Sequence, residues 1–216
     1  MKLPGDFHVH TCMRPVDDGA EEMTPAAVAA AMRSRSFGAF GLSPHFHFDS
    51  DFGAVCAFLD TLYQKPIARR ADIVLVSQGG APKDLNLYQT QKALDNAKHA
   101  VRDGGVIIVI GSCREGLGEG VFERWIQEAA KPSDLTERVQ KHFQLGGHKA
   151  AAIAMVLEHA EVYLVSEMPD ALVRKCFLTP FASAQAALDA AYAQLGPDAT
   201  VLAMPYGGST LPVVQP

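Results

Sequence analysis

Three near-continuous aliphatic runs constrain the fold of this chain more than any other feature of its sequence. They occupy residues 72–77, 106–110 and 162–166. Runs without polar alternation are typical of strands that are covered on both faces, as in a parallel sheet. They are also far shorter than the roughly 18 apolar residues that a membrane helix needs, so we expect no membrane partner.

Helical segments separate these runs along the chain. Apolar periodicity and capping residues predict helices over residues 26–35, 86–102, 121–130, 135–143, 148–159 and 183–195. Further short strands are predicted over residues 7–10, 39–43 and 200–204. The alternation predicts an α/β fold, in which a mainly parallel sheet of about six strands is flanked by helices in three layers. We expect the first two strands to join this one sheet, because two strands are too few to fold alone.

The composition narrows the class of protein. Hydrophobic residues make up 48% of the chain, which is enough for a substantial core. The net charge of -5 argues against nucleic acid as a partner, since proteins that bind it generally carry a basic surplus. The four cysteines are scattered without a CxxC pair, and no signal-peptide core precedes the first strand. We therefore expect a reduced, cytoplasmic chain.

Glycine-rich loops follow three of the predicted strands. They span residues 78–84, 111–118 and 205–209. In open α/β sheets ligands bind beyond the carboxyl ends of the strands, and glycine lets the backbone approach them closely. Tight turns also need glycine, so a single glycine-rich loop is weak evidence for ligand binding. Three such loops at the same edge of the sheet predict a rim that binds a ligand. None matches the GxGxxG fingerprint or a Walker loop, so we expect neither NAD nor ATP.

The predicted helix over residues 86–102 has two different faces. Its apolar stripe consists of Leu87, Leu94, Ala97 and Val101. Gln89, Lys92 and Asn96 are spaced i, i+3 and i+7, so they share another face. A lysine and a glutamine near a strand end are suited to hold a carboxylate and a hydroxyl group. From the spacing alone, an ordinary solvated face is the better explanation.

Several longer stretches match one known family in a consistent order. They are residues 71–74, 79–84, 86–89, 92–97, 113–118, 147–150, 162–166 and 204–209. Through them, the chain from Ala71 to Pro212 resembles the C-terminal domain of the nickel-pincer-dependent lactate racemase family. That family inverts the α-carbon of a 2-hydroxy acid. A nickel–carbon pincer cofactor takes hydride from that carbon and returns it, while histidine removes the hydroxyl proton.

The resemblance implies a set of site residues. Gln89 and Lys92 correspond to a glutamine and a lysine that face substrate and cofactor, and they would be the catalytic residues. The substrate-binding residues would be Gly79, Gly80, Lys83, Tyr206, Gly207 and Gly208. His148 and Lys149 match the family's pattern without an assigned role, whereas Trp125 is expected in the core.

The resemblance also implies an incomplete site. In the family, the lysine that tethers the cofactor, the nickel histidine and the proton-transfer histidines lie in an N-terminal domain or in the region that joins the domains. The short segment before the match contains no counterpart of that half. We therefore expect that use of a nickel-pincer nucleotide requires a separate cofactor-binding chain. An unsatisfied sheet edge or interface would also favour a homo-oligomer.

The front of the chain carries a second pattern. His8 and His10 are two residues apart on a predicted strand, so their side chains share a face, and imidazole suits zinc, manganese and iron. A proline-started helix, a second strand and His45 follow. This order resembles the start of the polymerase and histidinol phosphatase superfamily, which consists of metal-dependent phosphoesterases on a distorted (β/α)7 barrel. The resemblance implies that His8, His10 and His45 are metal ligands, although Pro44 replaces the family's aspartate.

Three interpretations remain open at this point. We expect a domain boundary near residues 65–66. Residues 1–66 would form a metallohydrolase-like βαβ segment, and residues 67–216 would form a racemase-like α/β domain. The first interpretation is a domain of a 2-hydroxy-acid racemase or epimerase. The second is a metal-dependent phosphoesterase that uses His8 and His10, and the third is a non-enzymatic module that binds a small acid or a metal.

Overall fold

The computed structural model of this chain describes residues 8–9, 41–42, 57 and 59–215, the first two pairs by their backbone alone. The chain divides into two units, Met1–Gln64 and Lys65–Pro216. In the first unit, β1 (His8–Val9) and β2 (Gly41–Leu42) pair in parallel, and residues 59–63 are helical.

Five strands form the main sheet, and all of their pairings are parallel. In chain order the remaining strands are β3 (Gln64–Ile67), β4 (Ala71–Ser77), β5 (Val101–Ile110), β6 (Ala160–Val165), β7 (Thr179–Phe181), β8 (Val201–Met204) and β9 (Leu211–Val214). The main sheet has the order β7-β6-β5-β4-β8, and β3 and β9 pair separately. This arrangement confirms the prediction of a mainly parallel sheet.

The expectation that the two front strands join this sheet is wrong. β1 and β2 form a two-stranded sheet of their own. In that pair His8 lies opposite Gly41 and Val9 opposite Leu42. The main sheet instead gains β7, which was not predicted because three residues that include Pro180 give almost no periodic signal.

Helices cover both faces of the main sheet. They are α1 (Leu87–Ala97), α2 (Gly120–Glu128), α3 (Pro132–Lys141), α4 (Gly147–Leu157), α5 (Asp170–Lys175) and α6 (Ala184–Leu195). In β5, Ile107 and Val109 pack into the core beneath α1 to α5, whereas Val106 and Ile108 pack beneath α6. The alternation explains why the run is apolar throughout, and it confirms the three-layer α/β fold. No described helix is long and apolar enough to cross a membrane.

The predicted helix over residues 86–102 is too long. The helix ends at Ala97, and Val101 already pairs with Ala71 in the ladder between β4 and β5. Gly104 lies inside β5 with a φ of +71°, close to a shift in the strand register. A Cβ atom on Gly105 would lie 2.6 Å from a backbone oxygen, so this irregular strand start needs glycine.

Candidate functional site

The loops that follow β4, β5 and β8 meet at the carboxyl edge of the main sheet. α1 starts from this edge, and the Asn86 side chain caps it by accepting the Gln89 N–H at 3.0 Å. The loop after β5 is bound to the loop after β4, because the Asp84 carboxylate accepts the Ser112 N–H at 3.0 Å. The edge is therefore a joined rim rather than a set of independent turns.

Gly79 and Tyr206 lie against each other on this rim. Gly79 has a φ of +102°, and a Cβ atom there would lie 3.1 Å from the Tyr206 ring. Gly80 follows with a φ of +79° and has open space around it. Lys83 belongs to the same turn, since its N–H donates to the Gly80 carbonyl at 2.9 Å. The structure thus brings four of the residues predicted to bind substrate into one surface.

Gly207 and Gly208 have a packing role that sequence reasoning did not foresee. A Cβ atom on Gly207 would collide with the Val76 side chain, and one on Gly208 would collide with the Gln78 side chain. The Gly207 carbonyl also accepts a 2.7 Å hydrogen bond from Asn96 of α1. Close packing alone explains both glycines, and contact with a substrate stays a prediction.

Two buried acceptors on the rim have no partner among the described residues. They are Oε1 of Gln78 and Oδ1 of Asp84, on residues that are 4% and 7% exposed. A buried polar atom without a hydrogen bond is costly, so such atoms commonly accept from a water molecule or a ligand. Both lie in the loop that carries the Gly79–Gly80 pair.

Lys149 of α4 lies against the first turn of α1, the helix that carries Lys92. The Lys149 amine of α4 donates to the Tyr88 carbonyl at 2.9 Å and lies 3.9 Å from the centroid of the Tyr88 ring. The pKa of Lys149 is lowered to about 8, chiefly by burial and then by the positive charge of Lys92, while Asp95 opposes the shift. Lys92 itself is exposed. The charge of Lys92 therefore acts on Lys149, although only Lys92 was predicted to act at the site.

Three helices start around Lys149. Tyr88, in the first turn of α1, packs edge-on against Phe122 of α2 at a ring distance of 5.6 Å and lies beneath Lys149 of α4. Helix N-termini carry partial positive charge, which adds to the charge of the two lysines. Glu119 already caps α2 by accepting the N–H groups of Val121 and Phe122. The positive electrostatic field of the helix N-termini and the two lysines is suited to an anion such as a carboxylate.

His148 precedes Lys149 in α4, and its hydrogen bonding fixes which ring nitrogen carries the proton when the ring is neutral. Its Nδ1 atom accepts the Gly146 N–H at 3.2 Å, so a neutral ring carries its proton on Nε2. Burial lowers the pKa of His148, the charge of Lys149 lowers it further, and Glu119 opposes the shift. The ring lies 5.8 Å from that of Phe143, which is 70% exposed. An apolar surface therefore adjoins the cationic one.

Trp125 supports the start of α4 from beneath. It is 1% exposed, which confirms the prediction that it belongs to the core. A Cβ atom on Gly147 would collide with its indole ring, and the indole N–H donates to Gln144 at 3.2 Å. The close approach of Gly147 to Trp125 fixes where α4 begins, and with it the position of Lys149.

The described residues offer no metal centre. Among them, no group of three or more histidine, cysteine, aspartate or glutamate side chains is placed to hold an ion. His10 and His45 lie outside the described residues, and only the backbone of His8 is described, so the predicted front metal site stays a prediction. No described residue is assigned as a ligand of a nickel cofactor.

A cavity of about 350 Å³ lies at the opposite, amino-terminal edge of the sheet. Its basic lining includes Lys98 and His99, which follow the end of α1, and His159, which follows the end of α4. The Lys98 ammonium group complements the dipole at the C-terminus of α1, so it stabilises the fold and its presence in the lining residues needs no ligand to explain it. None of them was predicted to belong to a site, and we assign the cavity no function.

Comparison with known proteins matches most of the second unit. A family model described as "Lactate racemase C-terminal domain" matches residues 67–212. The chain is 31% identical over 149 residues to lactate racemase of Thermoanaerobacterium thermosaccharolyticum, covering 67% of this chain and 35% of the relative. It is 28% identical over 157 residues to lactate racemase of Lactiplantibacillus plantarum, covering 70% of this chain and 37% of the relative. The chain thus spans little more than a third of these curated relatives.

Solved structures give the same picture. The apoprotein of the Thermoanaerobacterium thermosaccharolyticum lactate racemase superimposes with a TM-score of 0.70 at 28% identity, over 78% of this chain and 41% of that chain. A Thermotoga maritima protein superimposes with a TM-score of 0.53 at 17% identity, over 76% of this chain and 42% of that chain. The second match bears on the fold alone.

Proposed function

Because the chain belongs to the family defined by the lactate racemase C-terminal domain, we propose that it supplies one half of a 2-hydroxy-acid racemase or epimerase site. The observation that carries this proposal is the exposed Lys92, whose charge acts on Lys149 where three helices start at the carboxyl edge of the sheet. A small carboxylate is the ligand that such a field favours.

Within this proposal each predicted residue has a distinct task. Lys92 binds the carboxylate of the acid, and Gln89, nearly one turn earlier on α1, hydrogen-bonds its hydroxyl group. The surface of Gly79, Gly80 and Tyr206 lies across the rim and holds the rest of the substrate. Tyr206 is 65% exposed, so its ring is available to cover a ligand.

The proposed half-site needs a complement to carry out chemistry. In the family that complement holds the nickel-pincer nucleotide, and we propose that a separate cofactor-binding chain supplies it here. We also propose that the chain self-associates. β8 is an edge strand of the main sheet and Val201, its first residue, is 40% exposed, which supports an additional contact. Light scattering on the purified chain, alone and with candidate partners, tests both proposals.

The test of the half-site is a binding titration followed by NMR, with L-lactate, D-lactate and propionate. We expect lactate to shift resonances around Lys92, and Lys92→Met to weaken binding by at least about tenfold, as loss of a charged hydrogen bond does. Gln89→Leu should remove the preference for lactate over propionate, which lacks the hydroxyl group. Lys141→Met is the matched control, because Lys141 is an exposed lysine of α3 that pairs with the exposed Glu137 at 3.5 Å. Equal affinity in Lys92→Met and Lys141→Met contradicts the proposal.

A second test asks whether lactate conversion requires a separate cofactor-binding chain. The chain is assayed for D- to L-lactate conversion alone, and again with a cofactor-loaded N-terminal part of a lactate racemase supplied as a separate chain. We expect conversion only in the mixture, and we expect Lys92→Met to abolish it. Conversion by the chain alone would show that the site is complete without a partner.

The alternative functions rest on sequence alone. A metal-dependent phosphoesterase requires metal at His8, His10 and His45, so it predicts stoichiometric metal that disappears in a His8→Ala, His10→Ala variant. His159→Ala is a suitable control, because this histidine is 67% exposed. Metal that persists in the double variant removes that interpretation. Lactate binding without conversion in the mixture would favour the non-enzymatic module.

A further inference from the structure

Lys149 has an unusual environment for a lysine. Its amine is partly buried between α4 and α1, where it contacts the carbonyl and the ring of a single residue, Tyr88. The ring face and the carbonyl oxygen are both weakly negative, and neither carries a full charge. The described contacts therefore hold the ammonium ion in place without neutralising it.

The charged groups around Lys149 leave its positive charge poorly compensated. From α1 it faces Lys92 and Asp95, and Asp95 is already paired with Lys98 at 2.6 Å. On α4 its neighbour is His148, and the Glu119 carboxylate near that histidine is committed to capping α2. The repulsion by Lys92 therefore outweighs the attraction by Asp95. A carboxylate bound at Lys92 would relieve this repulsion.

We propose that Lys149 is the second cation of the carboxylate site, and that binding of a carboxylate is coupled to uptake of a proton by the Lys149 amine. This inference rests on the proposed function, because it requires that the acid binds at Lys92. In this coupling Lys149 is a positioning residue. It ties the first turn of α1 to α4 and supplies charge behind Lys92, while Lys92 makes the direct contact.

The direction of the coupling follows from linkage. An anion beside Lys149 favours its charged form and raises its pKa, so a proton must enter from solvent whenever the free amine was neutral. The pKa of Lys149 in the free chain is about 8, so the amine is largely charged at pH 6.5 and largely neutral at pH 9. The pKa of His148 is lowered from 6.5 and that of Tyr88 is raised from 10.0, so these neighbours do not titrate within this window.

The experiment is calorimetric titration of L-lactate into the full chain, in buffers of different ionisation enthalpy. We expect uptake of about half a proton at pH 8.5 and almost none at pH 6.5, together with a Kd that rises at least ~5-fold between pH 7 and pH 9.5. Lys149→Arg should retain binding but lose both the proton uptake and the pH dependence, because arginine does not titrate here. Lys149→Met should bind weakly at every pH, and Lys141→Met should behave as the original chain.

The outcomes separate the two proposals. Lactate binding without proton uptake at pH 8.5, or uptake that persists in Lys149→Arg, overturns the inference and leaves the half-site intact. Absence of lactate binding overturns the half-site and the inference with it. A direct NMR titration of the Lys149 side chain gives an independent check on folded protein. Its pKa should rise in Lys92→Met, and an unchanged value contradicts the proposed pairing of the two cations.

Discussion

The Asn96 side chain donates a 2.7 Å hydrogen bond to the carbonyl oxygen of Gly207, across 111 residues of sequence. This contact joins the last turn of α1 to the turn that follows β8. It therefore ties the helix that carries Lys92 to the glycine surface on the other side of the proposed half-site. Asn96 was predicted to share a polar face of the helix with Gln89 and Lys92, and in the structure it bonds to the turn after β8.

Replacing Asn96 tests that task. Asn96→Leu leaves the Gly207 carbonyl without its partner, and we expect the free energy of unfolding to fall by about 1–2 kcal/mol. Urea unfolding followed by circular dichroism measures the change. Gln185→Leu is the matched control, because it removes an exposed 2.8 Å bond to Asp189 within α6 and should cost less than about 0.5 kcal/mol. Similar losses in the two variants would show that the bond to Gly207 contributes no more to the free energy of unfolding than an exposed bond within a helix.

Gly207 itself should not tolerate a side chain. In Gly207→Ala the new methyl group meets the Val76 side chain, and a backbone oxygen lies 3.2 Å away, so we expect a loss of about 1–3 kcal/mol from overpacking. Gly120→Ala is the control, since nothing lies within 4 Å of that position in the first turn of α2. It should be neutral or slightly stabilising. Adding Val76→Ala to Gly207→Ala should restore part of the loss, and a further loss without recovery contradicts the steric explanation.

Local signals in the sequence predicted most of the fold correctly. Asn86 and Ser183 were predicted to open helices, and each caps one with its side chain. The aliphatic run in β5 predicted a doubly covered strand, because both faces of the sheet demand apolar residues. The first part of β5 escaped prediction. Whether residues 101–105 continue a helix or join a strand is decided by pairing with Ala71, which is remote in sequence.

The site could be predicted only in part, for the same reason. Lys92 and Gln89 emerged from their spacing on one helix and from the family resemblance. Lys149 was noted in a family motif but received no role, because its environment exists only when α4 packs on α1, 61 residues away from Tyr88. The burial that lowers its pKa has no local sequence signal. The orphaned acceptors of Gln78 and Asp84 depend on tertiary packing in the same way.

Asp72 should make the chain sensitive to acid. Its carboxylate accepts 2.6 Å hydrogen bonds from the Thr200 hydroxyl and from Arg102, and these bonds hold its pKa well below the usual range. A lowered pKa stabilises the fold above about pH 4, and this contribution is lost as pH falls further. We expect Asp72→Asn to cost about 1.5–3 kcal/mol at pH 7, with a difference from the original chain that shrinks between pH 4 and pH 2. Unfolding measured across this range, with exposed Asp189→Asn as control, checks both expectations, and a constant difference contradicts the second.

Lys149 should give a pH dependence of the same sign at alkaline pH, because its pKa is also lowered in the folded chain. Its pKa is lowered to about 8 in the folded chain, so between pH 8 and the unfolded value near 10.5 the unfolded chain binds more protons, and folding becomes more favourable as pH rises. Burial raises the pKa of Cys113 to about 11 and that of Cys176 to about 12, which lowers stability above pH 9, but this effect is shared by any Lys149 variant. We therefore compare the original chain with Lys149→Met in guanidinium unfolding at pH 7.5 and pH 9.5. The original chain should gain roughly 1–2 kcal/mol relative to the variant after allowance for solvent screening. The same comparison with Lys141→Met should show no change, and a flat difference for Lys149→Met would mean that burial does not perturb this amine.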